Sequence, residues 1–149
     1  LPWLVGMPAE TSRAICSIIF GGILEKYPNL KIAFAHGGGS FPFTTGRIDH
    51  GYRMRPDLCS IDNAKLPSSY MKHFYIDSLV HDENTMRFLL ETVGAEQIAL
   101  GSDYPFPLGE QHPGKLIEEM DLTDSTKQRL LAGTALEWLG LTESEYIRN

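Results

Sequence analysis

Three short apolar runs, each followed by a sharp turn and then by helical periodicity, constrain this chain more than any other feature. They are Lys31-Ile32-Ala33-Phe34-Ala35, Phe74-Tyr75-Ile76-Asp77 and Gln97-Ile98-Ala99-Leu100. Buried strands alternating with helices predict an α/β fold with a parallel sheet, because a parallel pair needs a crossover helix between its members. The spacing predicts helices over residues 8–27, 43–54, 82–93, 113–120 and 123–131, with Gly133 closing the last. Residues 56–69 are polar and proline-containing and predict a loop. In the first helix Ile15, Ile18, Ile19, Gly22 and Ile23 repeat as one apolar stripe. The Gly21-Gly22 pair inside it costs helix stability, which implies a close neighbour there. Asp82 is placed to cap the 82–93 helix and Gly94 to stop it. Three strands are few for a complete sheet. The chain also opens on Leu1-Pro2-Trp3 rather than on Met, which reads as a start inside a longer protein.

Composition narrows the partners. With 149 residues and a net charge of −6, the chain lacks the basic footprint of a nucleic-acid binder or of a membrane-surface helix. It has no apolar run near the roughly 18 residues of a membrane span. Cys16 and Cys59 form neither a CxxC pair nor a zinc-ribbon spacing and read as buried, reduced thiols of a cytoplasmic protein.

Parallel sheets carry function at the C-terminal ends of their strands, and His36, Asp77 and Asp103 stand at or just after those ends. His36 precedes three glycines, which let the backbone turn and leave room beside the imidazole. The spacing alone leaves open whether His36 transfers protons or caps a strand. A carboxylate such as Asp103, just past a buried strand, has to be paired, hydrogen-bonded or metal-bound. An Asp ahead of Tyr104-Pro105 also suits a turn, and the spacing alone leans that way. Arg47, Arg53 and Arg55 fall on or near one helix, where a carboxylate-binding fork competes with a plain solvated face. His50, His73, His81 and His112 form no HxH or HExxH spacing and read as structural or surface residues, with His81 the least secure because it lies soon after the second strand. Trp3 and Phe106 suit an apolar pocket, although aromatics are more often core.

Taken together, several stretches resemble the metal-dependent amidohydrolase superfamily, in its branch of nonoxidative decarboxylases. They are His36-Gly37-Gly38-Gly39 with Phe41-Pro42-Phe43, Gly46-Arg47-Ile48, Met54-Arg55-Pro56-Asp57-Leu58, Leu79-Val80-His81-Asp82 and Gly101-Ser102-Asp103-Tyr104-Pro105-Phe106-Pro107-Leu108-Gly109-Glu110. The resemblance runs from Leu1 to about Leu141. It implies that residues 1–149 are the C-terminal part of a single (β/α)8 barrel domain, with about three strand–helix units and the N-terminal strands absent. It implies a zinc site in which Asp103 is the last ligand, the other ligands being histidines outside this sequence. His36 falls on the catalytic histidine. Arg47 falls on an arginine that reaches a substrate carboxylate across a homodimer, and Trp3 and Phe106 fall on pocket aromatics. Thr134-Ala135 departs from the Asn-Ala of many relatives, at a position of terminal packing.

The implied substrate is a small-molecule dicarboxylate semialdehyde of tryptophan–kynurenine catabolism, decarboxylated in the cytosol without nucleic-acid or membrane partners. Two other readings remain at this point. One is a sister decarboxylase of aromatic acids, of the γ-resorcylate type. The other is a non-catalytic α/β binding domain, if the chain is complete.

Overall fold

A computed structural model describes residues 1–146. Three parallel strands form one sheet in the order β1 (Ala33–Phe34), β2 (Tyr75–Asp77), β3 (Ile98–Ala99). Ala33 is opposite Tyr75, and Ile76 is opposite both Phe34 and Ile98, so the register runs straight across the sheet. Only part of each apolar run joins the ladder, and the second run stays in it to its last residue, Asp77. Among the described residues, β1 and β3 are each paired on one side only, and the sheet is open. Ile32, Phe34 and Leu100 are half-buried, as an open sheet implies. Ile98, expected to be similarly uncovered, is instead 0 % exposed. The helical segment Arg129–Gly133, with its buried Leu130, packs on β3 and closes that face.

Helix α1 (Met7–Phe20) buries Ile15 and Ile19, two members of the predicted stripe. The helix was expected to continue to Tyr27 but breaks at Gly21-Gly22 and resumes as α2 (Ile23–Lys26). Gly22 takes the left-handed conformation, φ 65°, and a Cβ there would lie 2.3 Å from the carbonyl oxygen of Asp62. The left-handed glycine ends the helix locally, and a segment distant in sequence packs against the break at a distance only glycine allows. Gly22→Ala is expected to destabilise the full-length protein by about 3 kcal/mol, from left-handed strain plus a backbone clash. Gly46→Ala is the control. Gly46 lies in α3 (Phe41–Met54) with nothing within 4 Å of its ideal Cβ, so alanine should gain up to about 1 kcal/mol. Urea midpoints of the two variants check both signs.

The residues 56–69 are not loop throughout: α4 (Pro56–Cys59) and a 3₁₀ turn (Pro67–Lys72) lie in or across them. Asp49 of α3 fastens this stretch, its buried carboxylate accepting the Ser68 N–H at 2.9 Å and the Ser68 hydroxyl at 2.6 Å. Helix α5 (Glu83–Thr92) starts as expected, with Asp82 accepting the Thr85 N–H at 2.7 Å, and it buries Met86 and Leu89. After α6 (Lys115–Glu119), helix α7 (Asp124–Gln128) starts at a Thr123 cap. It does not end at Gly133. It passes through the π turn Arg129–Gly133 into α8 (Thr134–Leu139), and Gly140 closes it. A last short helix, α9 (Glu143–Tyr146), follows. One core cluster joins these elements, including Ile15, Phe41, Phe74, Met86, Ile117 and Leu130. Each such side chain contributes about 1.5–3 kcal/mol by leaving water. No helix among the described residues is long and apolar enough to cross a membrane.

Candidate active site

The C-terminal edge of the sheet is where the backbone departs from ordinary geometry. Among the described residues, the non-glycine positions with positive φ are His36 (57°), His81 (58°) and Asp103 (55°). Each follows a different strand. Left-handed backbone at three non-glycine residues costs free energy, and such strain concentrates where a site requires a particular side-chain direction. Here it turns two of the three inward: His36 Nε2 lies 3.6 Å from Asp103 Oδ1, and the two side chains are 22 % and 21 % exposed. That separation is too long for a direct hydrogen bond. It leaves two donor atoms converging on one point without saturating each other.

Asp103 is held by its backbone rather than by its carboxylate. Its carbonyl accepts the Phe106 N–H at 2.8 Å, and Glu110 N–H returns to the Ser102 carbonyl at 2.9 Å. The loop thus folds back on itself with a cis Tyr104–Pro105 peptide and leaves the carboxylate free. Asp103 thus forms the turn that suits an Asp ahead of Tyr104-Pro105, and its side chain faces His36. Beside it is a cavity of about 300 Å³ lined by Trp3, Met7, Asp103, Phe106, Pro107 and Leu108. The structure therefore brings together four of the five expected site residues, His36, Asp103, Trp3 and Phe106. Trp3 remains 65 % exposed, so it lines the mouth of the cavity rather than the core.

Arg47 is not among them. It is exposed on α3, outside the cavity lining, and it has no ion-pair partner among the described residues. His50, His73 and His112 are exposed, in keeping with surface roles. His81 is exposed too, but with His112, Glu110 and Lys115 it lines a separate open cavity of about 290 Å³. Cys16 and Cys59 are free and half-buried, and burial pushes the Cys16 thiol pKa up.

Asp77, which ends the middle strand, received no role from its sequence. Its carboxylate accepts the Gly37 N–H at 2.9 Å and the Leu79 N–H at 3.1 Å. Burial pushes its pKa above the usual carboxylate range, against the pull of the Gly37, His36 and Leu79 backbone N–H groups. The available signal was its place at a strand end, shared with the other two residues.

A catalytic zinc site takes about three protein ligands plus a water. No group of three or more His, Cys, Asp or Glu side chains fit to hold a metal occurs among the described residues. Asp103 and His36 fit one part of a donor set, an oxygen with a nitrogen close by. They do not complete one.

Comparison with known proteins bears on the family of the chain. The amidohydrolase family profile matches residues 3–141. The chain is 57 % identical over 148 residues to the 2-amino-3-carboxymuconate-6-semialdehyde decarboxylase of Dictyostelium discoideum, covering 99 % of this chain and 41 % of that protein. It is 46 % identical over 145 residues to the enzyme of the same name from Caenorhabditis elegans, covering 97 % and 36 %. Thus it spans about two fifths of the length of the curated relatives it matches. Among solved structures, a dihydroxybenzoic acid decarboxylase from a Polaromonas species, with bound manganese and 2-nitroresorcinol, superposes with a TM-score of 0.76 at 22 % identity. The match covers 94 % of this chain and 43 % of that one. At that identity the likeness speaks for the fold, three parallel strand–helix units of a (β/α)8 barrel. Because the family profile runs through all three strands and the loops that carry His36 and Asp103, the chain belongs to the amidohydrolase family.

Proposed function

We propose that this chain supplies the His36–Asp103 side of a zinc-dependent nonoxidative decarboxylase acting on 2-amino-3-carboxymuconate 6-semialdehyde. That reaction belongs to tryptophan–kynurenine catabolism in the cytosol and limits quinolinate formation. The reading is carried by one observation: an imidazole and a carboxylate from the two outer strands meet at 3.6 Å beside an aromatic-walled cavity. The identity to two decarboxylases of that name adds support. A free-standing binding domain is not favoured beside such a match.

In this reading residues 1–149 form the C-terminal part of one barrel domain. Asp103 holds the metal with ligands from outside this sequence. A bound zinc ion supplies Lewis acidity and lowers the pKa of a coordinated water to about 7. His36 accepts and returns a proton at Nε2, work that imidazole does well near neutral pH. Trp3 and Phe106 cover the conjugated chain of the substrate and exclude water. Arg47 is exposed and without an ion-pair partner among the described residues. It therefore suits a substrate carboxylate in the neighbouring subunit of a homodimer, bound through its two-pronged fork.

The full-length protein loaded with zinc should release one CO2 per semialdehyde consumed. It should turn over 2,6-dihydroxybenzoate at least about a hundredfold more slowly, since a site built around one set of polar groups rejects a substrate that leaves them unpaired. The reverse order would assign the protein to the aromatic-acid branch, and no CO2 from either substrate with metal bound would end the proposal. Subunit sharing has its own check. Mixed Arg47→Ala and His36→Ala subunits should regain activity, because a heterodimer then holds one intact composite site. Heterodimers that form and stay inactive would place Arg47 outside the site.

A further inference from the structure

We propose that Asp77 is a positioning residue that holds His36 in register with Asp103, an inference that rests on the catalytic role given to His36 above. Asp77 ends β2, the middle strand, so the strand ends on its two sides are those that lead to His36 and to Asp103. Towards β1, its Oδ1 accepts the N–H of Gly37, the residue directly after His36, at 2.9 Å. The same oxygen accepts the Leu79 N–H at 3.1 Å, so the carboxylate bridges two loops.

The turn it grips needs gripping. His36 and Gly37 are both left-handed, and a Cβ on Gly37 would lie 2.7 Å from Val80 Cγ1 and 2.9 Å from Leu89 Cδ1. Its own backbone bonds are Gly38 N–H to the Ala35 carbonyl at 3.2 Å and Gly39 N–H to the His36 carbonyl at 2.9 Å. Neither uses the Gly37 N–H, which goes to Asp77.

Towards β3 the contact of Asp77 is close packing. A Cβ on Gly101 would lie 2.7 Å from Asp77 Cβ and 2.9 Å from both Cγ and Oδ2. Ser78 then ties that side, its N–H donating to the Ala99 carbonyl at 2.8 Å and its hydroxyl oxygen accepting the Gly101 N–H at 3.1 Å. One dipeptide thus sets both strand ends, and with them the 3.6 Å between His36 and Asp103. The Asp77 carboxylate is spent on the Gly37 and Leu79 N–H groups, so it acts through the backbone beside His36.

The test is a double-mutant cycle in the full-length, metal-loaded protein, reading kcat, KM and bound metal with the semialdehyde. Asp77→Ala should lower kcat about 10- to 100-fold, the scale of a small misplacement of a catalytic group. KM should stay within about threefold and metal content should not change. Asp77→Asn keeps an acceptor oxygen and should stay within about threefold of the parent kcat. In a His36→Ala background, adding Asp77→Ala should cost less than about twofold, because residues that act as a unit are not additive. An equal loss in both backgrounds, or an Asn variant as impaired as the Ala variant at equal metal content, would overturn the proposal. If Asp77→Ala does not fold, Asp77→Ser replaces it in the cycle and the same two outcomes decide. An unimpaired His36→Ala protein would instead overturn the role of His36.

Discussion

Asp103→Ala in the full-length protein is expected to remove the bound metal and to lower kcat by at least about 10³-fold, a loss of about 4 kcal/mol in transition-state stabilisation. The carboxylate is presented rather than used for folding. Its loop is held by Phe106 N–H on the Asp103 carbonyl and by Glu110 N–H on the Ser102 carbonyl, both backbone bonds that alanine preserves. A cut side chain should therefore cost little stability, within about 0.5 kcal/mol in a urea titration. Metal per subunit, measured on the purified variant after dialysis, is the deciding number. A variant that keeps its metal would show that Asp103 is not a ligand.

His36→Ala is expected to act differently on the same two measurements. A general acid–base group contributes about 10²- to 10⁴-fold to rate, so kcat should fall by that amount. The metal should stay, because in this reading the ligands are Asp103 and groups outside this sequence. The loop should also survive, since Gly37 N–H is tied to Asp77 and Gly39 N–H to the His36 carbonyl, neither of which involves the imidazole. Metal lost together with activity would make His36 a ligand. The two variants thus separate a carboxylate that holds a cation from an imidazole that moves a proton, although their atoms are only 3.6 Å apart.

What the chain announces and what it conceals divide along the range of the forces involved. The three apolar runs, the cap at Asp82 and the buried stripe of α1 follow from neighbours within a turn or two. Local periodicity and hydrogen-bonding chemistry therefore sufficed to place them. So did the position of His36, Asp77 and Asp103 at strand ends, because a parallel sheet with crossover helices sends every strand's C-terminal end to one edge. The resemblance to the amidohydrolase superfamily then separated the possible roles of His36 and Asp103, which spacing alone left open.

Other features were decided by groups far away in sequence. The neighbour at the Gly21-Gly22 break is the Asp62 carbonyl, which sits where a side chain at position 22 would be. The C-terminal helix runs on through Gly133, where a glycine read locally as a stop, and its packing over β3 leaves Ile98 fully covered. Asp77 has no assigned role in the sequence beyond its strand end, and Gly37 and Gly101 close on it from both sides. Arg47 and Phe43 share the helix that follows the glycine turn, yet only the packed structure shows Arg47 standing free of the cavity while Phe43 stacks on Phe88. The sequence by itself determined which residues reach the C-terminal edge of the sheet, since that depends on strand length and periodicity. Only the tertiary structure decided which of them meet, because the strand order places β2 between β1 and β3 and the half-buried Asp77 carboxylate ties the turn after β1 to it.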